Sequence, residues 1–191
     1  IDPNKIIKLA AGGAPFFEPG LDEVLARNID AGRLRFTTSY EEAAEFADTH
    51  FLCVGTPQRR GEYAADLRYV DAVIAALAPH ITRPAVVFGK STVPVGTAAR
   101  LNAQAAKAGA ELESAWNPEF LREGFAVEDT LHPDRIVLGV DAHRPGRAES
   151  VAREIYADMI AVDTPFIVTD LATAEMVKTA ANSFLATKIS F

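Results

Sequence analysis

Short runs rich in β-branched residues alternate with amphipathic stretches along almost the whole chain. That alternation restricts the fold more than any other feature. The strand-like runs are Leu34–Thr37, His50–Val54, Ala85–Phe88, Leu112–Trp116, Arg135–Val140 and Phe166–Thr169. Helical spacing of apolar residues predicts helices over Leu21–Asn28, Glu41–Ala47, Ala65–Ala78, Val95–Ala108, Glu119–Glu128 and Gly146–Ile160. Strands separated by helices pair in parallel through right-handed crossovers, and the sheet must then be covered on both faces. The fold class is therefore α/β, a mostly parallel sheet with helices on either side. After Asp170 the pattern changes to one Ala-rich helix that still runs at Phe191. Residues 1–170 are read as the sheet domain and residues 171–191 as the start of a long connecting helix. The chain opens on "IDPNKIIKLAAGG", which reads as the tail of a strand, a turn through Pro3 and a short helix closed by Gly12-Gly13. Both ends are expected to be cuts within a longer protein.

Charge narrows the ligand. With 19 Lys and Arg against 26 Asp and Glu the net charge is −7, and no basic cluster interrupts the acidic background. This argues against nucleic acid or an anionic membrane as a partner. A small phosphorylated ligand remains compatible, because backbone N–H groups can hold phosphate. The single cysteine, Cys53, permits no internal disulfide and points to a reducing, cytoplasmic setting. No apolar run approaches the roughly 18 residues of a membrane span.

In an open α/β sheet a ligand sits beyond the carboxyl ends of the strands. Here three successive strand ends carry small, hydroxyl or charged residues with a proline: Gly55-Thr56-Pro57, then Gly89-Lys90-Ser91-Thr92-Val93-Pro94, then Asn117-Pro118-Glu119. Any one of them is also what an ordinary turn looks like; three together favour a shared rim. Within the second, an N-cap cluster would explain Ser91 or Thr92 but not Lys90. In the third, "WNPEFLREG" places Glu119 and Glu123 four residues apart. On a helix they share a face and repel by a few tenths of a kcal/mol, which a surface helix has no reason to accept.

Cys53 sits inside "HFLCVG" and is expected to be a buried structural thiol, inert for want of a stabilised thiolate. In the last helix Glu175, Lys178 and Asn182 fall on one face, either a solvated stripe or the polar wall of a cleft. The histidines lie at turns and element ends, and no His, Cys or acidic set has defensible metal-ligand spacing. A G-x-G-x-x-G fingerprint is not found in the chain, so a first strand and its glycine turn would have to precede Ile1.

Taken in order, "EPGL" (Glu18–Leu21), "VGTP" (Val54–Pro57), "GKSTVPVGT" (Gly89–Thr97), "WNPEFLREG", "HPDRIVLG" and "AEMVKTAANSF" resemble the UDP-glucose 6-dehydrogenase family over essentially the whole chain. The resemblance implies a Rossmann-like NAD domain, a long central helix and a further UDP-binding domain. It implies two-step oxidation of a sugar C6 alcohol, with reduction of two NAD⁺ through a cysteine thiohemiacetal and thioester. Carried over by position, Lys5 lies near the NAD adenosine. Val54, Gly55, Thr56, Pro57 and Gln58, with Ser91, Thr92 and Val93, match NAD-contacting loops. Thr92 matches a threonine that helps hold a catalytic water, and Glu119 the general base for thioester hydrolysis. Glu123 matches a residue between substrate and cofactor. Phe120, Leu121 and Arg122 match the sugar-nucleotide contact, and Lys178 and Asn182 the stabilisers of the oxyanion at C6. The nucleophilic cysteine is expected beyond Phe191; Cys53 does not match it.

The expected partner is UDP-glucose, and a homodimer through the central helix is expected as well. GDP-mannose and UDP-N-acetylmannosamine dehydrogenases share "VGTP" and "KSTVP" and are the nearest alternatives. A single-step β-hydroxyacid dehydrogenase would also use a Lys and an Asn. A non-catalytic nucleotide-binding domain is the alternative from another class.

Overall fold

The computed structural model describes residues 2–143 and 146–191. The strand tail expected at Ile1 lies outside the described residues. α1 (Pro3–Ala10) starts because Pro3 suits a first helical turn and the Asp2 carboxylate accepts from Asn4 N–H at 3.0 Å. α2 (Leu21–Asp30) follows left-handed Gly20, and α3 (Tyr40–Phe46) is capped by Ser39 Oγ, which accepts from Glu42 N–H. Then come β1 (Thr49–Leu52), α4 (Arg68–Leu77), β2 (Ala85–Gly89), α5 (Thr97–Lys107) and β3 (Leu112–Trp116). The rest is α6 (Ala126–Leu131), β4 (Ile136–Val140), α7 (Ala148–Ile155), α8 (Ala157–Ala161), β5 (Phe166–Asp170) and α9 (Leu171–Ser190).

The sheet order is β1-β2-β3-β4-β5. β1, β2 and β3 pair in parallel, as do β4 and β5. The β3–β4 junction is antiparallel, with Trp116 opposite Gly139. Every residue of β2 is buried, as expected of an interior strand covered on both faces. One face packs Val87 and Trp116 against Val70, Ile74 and Leu77 of α4, Ala98, Leu101 and Ala105 of α5, and Ala174 of α9. The other packs Val86, Phe88, Ala115 and Leu138 against Ala148 and Ala152 of α7. Each fully buried Val, Leu, Ile or Phe among these contributes about 1.5–3 kcal/mol.

Two glycines set how closely the layers approach. A β-carbon on Gly89 would clash with three carbons of the six-membered ring of Trp116. On Gly139 it would lie 2.5 Å from the Ala174 β-carbon, so α9 rests directly on the β4 backbone.

Three expectations are corrected. Leu34–Thr37 is not a strand: Arg33 and Leu34 N–H close the end of α2 on the Asn28 carbonyl, and among the described residues no strand pairs with that segment. Glu119–Glu128 is not a helix. Gly124 takes φ +80°, and helix begins only at Ala126, so Glu119 and Glu123 share no helical face. The helix expected over Gly146–Ile160 is broken at Tyr156 into α7 and α8. The long helix from Leu171 forms as expected, with Asp170 Oδ1 accepting from Thr173 N–H at 2.9 Å. Among the described residues no helix is long and apolar enough to cross a membrane.

Candidate functional site

A cleft of about 670 Å³ opens at the carboxyl ends of β1, β2 and β3, where the three unusual strand ends meet. Cys53–Thr56, Lys90–Thr92 and Asn117–Arg122 line it, with Asp134, Arg135 and Tyr156 closing the other side.

The first two loops are stitched to each other. Thr56 Oγ1 donates to the Thr92 carbonyl at 2.7 Å, and Ser91 Oγ donates to the Val54 carbonyl at 2.6 Å. Trp116 Nε1 donates to the Ser91 carbonyl at 3.2 Å, tying β3 to the same turn. These bonds order a wall of small residues. At Gly55 nothing lies within 4 Å of where a β-carbon would be, so a flat ligand can approach the backbone there.

Opposite that wall, the segment after β3 crosses the cleft as an irregular strap. Glu119 Oε1 pairs with Lys178 Nζ of α9 at 3.1 Å, and its Oε2 accepts from Leu121 N–H at 2.6 Å. Lys178 is buried, 8% exposed, and its ammonium also lies 5.5 Å from the centroid of the Phe120 ring. A buried lysine needs such a partner. Thus a residue at the end of β3 and one on the last helix, remote in sequence, form one constellation. Glu175, one turn before Lys178, is also buried and accepts from Gly96 N–H at 2.6 Å and Ala98 N–H at 2.7 Å. Its carboxyl is pushed above the ordinary range by burial, against the opposing pull of those amides. It fastens α9 to the start of α5, just after the Ser91–Val93 turn.

Sequence reasoning singled out Lys90 without a role and missed Asn117 and Tyr156. Lys90 Nζ donates to Asn117 Oδ1 at 3.0 Å and to Tyr156 Oη at 3.5 Å; Tyr156 Oη donates to the same Asn117 oxygen at 2.6 Å. Asn117 Nδ2 donates to the Val137 carbonyl at 2.8 Å, across the antiparallel junction. Both acceptor positions of the buried amide oxygen are thus filled, and its nitrogen is tied to β4, which fixes where the strap leaves the sheet. Burial lowers the Lys90 pKa, with the neighbouring Cys53 and Glu119 opposing, and pushes Tyr156 up to about 12, so the phenol stays a neutral donor. No sequence signal marked Tyr156; Asn117 was signalled only by its place at a strand end.

The remaining expected residues scatter. Val93 is buried in the core, and Gln58 turns its amide to the Glu62 carbonyl. Arg122 lines the cleft but pairs with Asp129 at 2.6 Å. Pro57 and Glu123 are exposed outside the cleft lining, and Lys5 is exposed on α1. Asn182 is exposed one turn beyond Lys178.

Cys53 is a correction. β1 ends at Leu52, which leaves the thiol exposed at the cleft rim rather than buried in the sheet. Its pKa is nevertheless raised, first by burial of the thiol's surroundings and then by Glu119, with Lys90 opposing. Alkylation by iodoacetamide at pH 8 should therefore run several-fold slower than for a free cysteine and keep rising well above pH 9. A rate matching free cysteine at pH 8 would refute that.

Residues 1–160 match the family model described as the UDP-glucose/GDP-mannose dehydrogenase family, NAD binding domain. A UDP-glucose 6-dehydrogenase from Rhizobium meliloti (strain 1021) is 44% identical over the whole of this chain and 44% of its own length. A UDP-glucose dehydrogenase structure from Pyrobaculum islandicum superposes with TM-score 0.90 at 44% identity, over all of this chain and 44% of that one. A GDP-mannose dehydrogenase from Pseudomonas aeruginosa superposes with TM-score 0.92 at 30% identity, with the same coverage. The chain thus spans less than half the length of the relatives it matches.

Proposed function

Because this chain belongs to the UDP-glucose/GDP-mannose dehydrogenase family, through its NAD binding domain, we propose that the whole protein oxidises the C6 alcohol of UDP-glucose to the carboxylate. Two NAD⁺ and one water are consumed per sugar. The observation that carries the reading is the pairing of Glu119 with Lys178 on the far side of a cleft from the Gly55, Thr56, Ser91 and Thr92 wall. That wall of small residues suits a flat nicotinamide, whose chemistry when bound is to accept the hydride leaving C6. Val54, Gly55, Thr56, Ser91 and Thr92, which line the cleft, would hold the cofactor from this chain.

Each site residue then has a physical task. The Lys178 ammonium, in a poorly hydrated setting, stabilises negative charge developing on the C6 oxygen, with Asn182 beside it. Glu119 takes a proton from a water held with Thr92, and the water oxygen attacks the C6 acyl carbon as its thiol leaves. The peptides of Phe120 and Leu121, with Arg122, contact the sugar nucleotide. Glu119 engages both the Lys178 ammonium and the Leu121 N–H, so the base, the oxyanion stabiliser and the sugar-contacting peptide lie within one set of contacts.

The test is an assay of the whole protein with UDP-glucose, GDP-mannose and UDP-N-acetylmannosamine. Two NADH per UDP-glucose, with kcat/KM highest for that sugar, is expected. Preference for GDP-mannose would move the substrate assignment. Absence of NADH with all three would leave only a nucleotide-binding domain.

A further inference from the structure

The strap carrying Glu119 and Glu123 has no helix or strand of its own to hold it. At its start it is bolted by Asn117 to β4, Lys90 and Tyr156. Its far end is held from a part of the chain more than one hundred residues away. Glu18 Oε2 accepts from Gly124 N–H at 3.0 Å and Glu18 Oε1 from Ala126 N–H at 2.7 Å. One carboxylate thus spans the residue at φ +80° and the first residue of α6. Glu18 is itself braced: its carbonyl accepts from Leu21 N–H at 3.1 Å, and Asp22 of α2 accepts from Ala14 N–H at 2.8 Å. A β-carbon placed on Gly20, which takes φ +79°, would lie 4.0 Å from Val127 of α6, so the two segments run close together. Hydrogen bonds from backbone amides to an ionised carboxylate are stronger than neutral ones, and two on one group fix direction as well as distance.

We propose that Glu18 is a positioning residue for the site: by clamping Gly124 and Ala126 it sets the strap's curvature, and so places Glu119 and the Phe120–Leu121 peptides in the cleft. The "EPGL" stretch, which matched the family without any role attached, thereby acquires one. Glu18 touches no ligand in this account and acts only through the strap. The proposal rests on the UDP-sugar reading above.

The experiment uses the whole protein with Glu18→Ala and the milder Glu18→Gln, which keeps a single carbonyl acceptor. Three quantities are measured: hydrogen exchange over residues 118–126, KM and kcat for UDP-glucose, and melting temperature. Glu18→Ala should speed exchange at Gly124 and Ala126, raise KM for UDP-glucose about tenfold and lower kcat about tenfold, since the strap carries Glu119 as well as the sugar-contacting peptides. Glu18→Gln should fall between Ala and wild type in both readouts. Unchanged exchange and unchanged KM overturn the clamp. A raised KM with unchanged exchange overturns positioning, because Glu18 would then contact the ligand itself. A lower melting temperature with unchanged KM reduces Glu18 to a structural tie and overturns the role. Absence of UDP-glucose turnover by the wild type sinks the functional reading and the role with it, while the exchange data still report whether the contact exists.

Discussion

Gly89→Ala should lower the melting temperature by about 10 °C, the consequence of about 3 kcal/mol of overpacking in a protein of this size. Gly89 ends β2 where the Trp116 ring comes close to the backbone, and an added methyl would clash with three ring carbons. The ring cannot retreat. Trp116 is 1% exposed, packed in the core, and held by its indole N–H on the Ser91 carbonyl. Moving it breaks that bond and disturbs the turn that carries Ser91 and Thr92. Gly55→Ala is the matched control, since a β-carbon there meets nothing within 4 Å, and it should melt like wild type. Thermal unfolding followed by circular dichroism measures both. If Gly89→Ala melts within about 2 °C of wild type, the ring has freedom that close packing denies it.

The largest loss of activity should come from Lys178→Met in the whole protein, with kcat for UDP-glucose falling about 10³-fold, the scale of removing a donor to a developing oxyanion. Methionine preserves the apolar stem beside Phe120 and removes only the ammonium. The same change releases Glu119 Oε1, so the fold should survive. Glu119→Gln should behave differently. In a single turnover the first hydride transfer should persist, while steady-state kcat falls about 10²-fold because water activation is lost. Stopped-flow absorbance of NADH separates the two variants. Equal and complete loss of the first hydride transfer in Glu119→Gln would mean that Glu119 serves the alcohol oxidation. A fully active Glu119→Gln would favour single-step chemistry that needs no hydrolytic carboxylate.

How far the sequence foretold this arrangement depended on whether a residue's surroundings were local. β2, β3, β4 and β5 stand within a residue or two of their expected bounds, because apolar β-branched runs such as Val86-Val87-Phe88 have one economical solution. Leu34–Thr37 alternates Leu and Phe with polar residues but has no paired neighbour among the described residues, and strand formation is decided by pairing. The helix expected from Glu119 ignored one warning: Gly124 admits the left-handed turn that stops a helix. Tyr156 was illegible for a different reason. Its hydroxyl is needed 39 residues away, at Asn117, and no periodicity reports a hydrogen bond across the sheet. Motif resemblance named Glu119 and Lys178 separately but did not foretell that they pair, and spacing alone left Lys178 free to face solvent.

The antiparallel junction between β3 and β4 has a mechanical meaning. It divides the sheet into two parallel ladders, one carrying the Gly55–Thr92 wall and the other carrying Arg135 and Ile136, with Trp116 opposite Gly139 at the join. The ladders are fastened chiefly from outside the sheet, by Asn117 reaching to Val137 and by α9 lying on Gly139. Slow-exchanging amides should therefore fall into two blocks with separate opening energies, meeting at the mouth of the cleft. The cleft thus opens where two halves of one sheet meet along their thinnest seam.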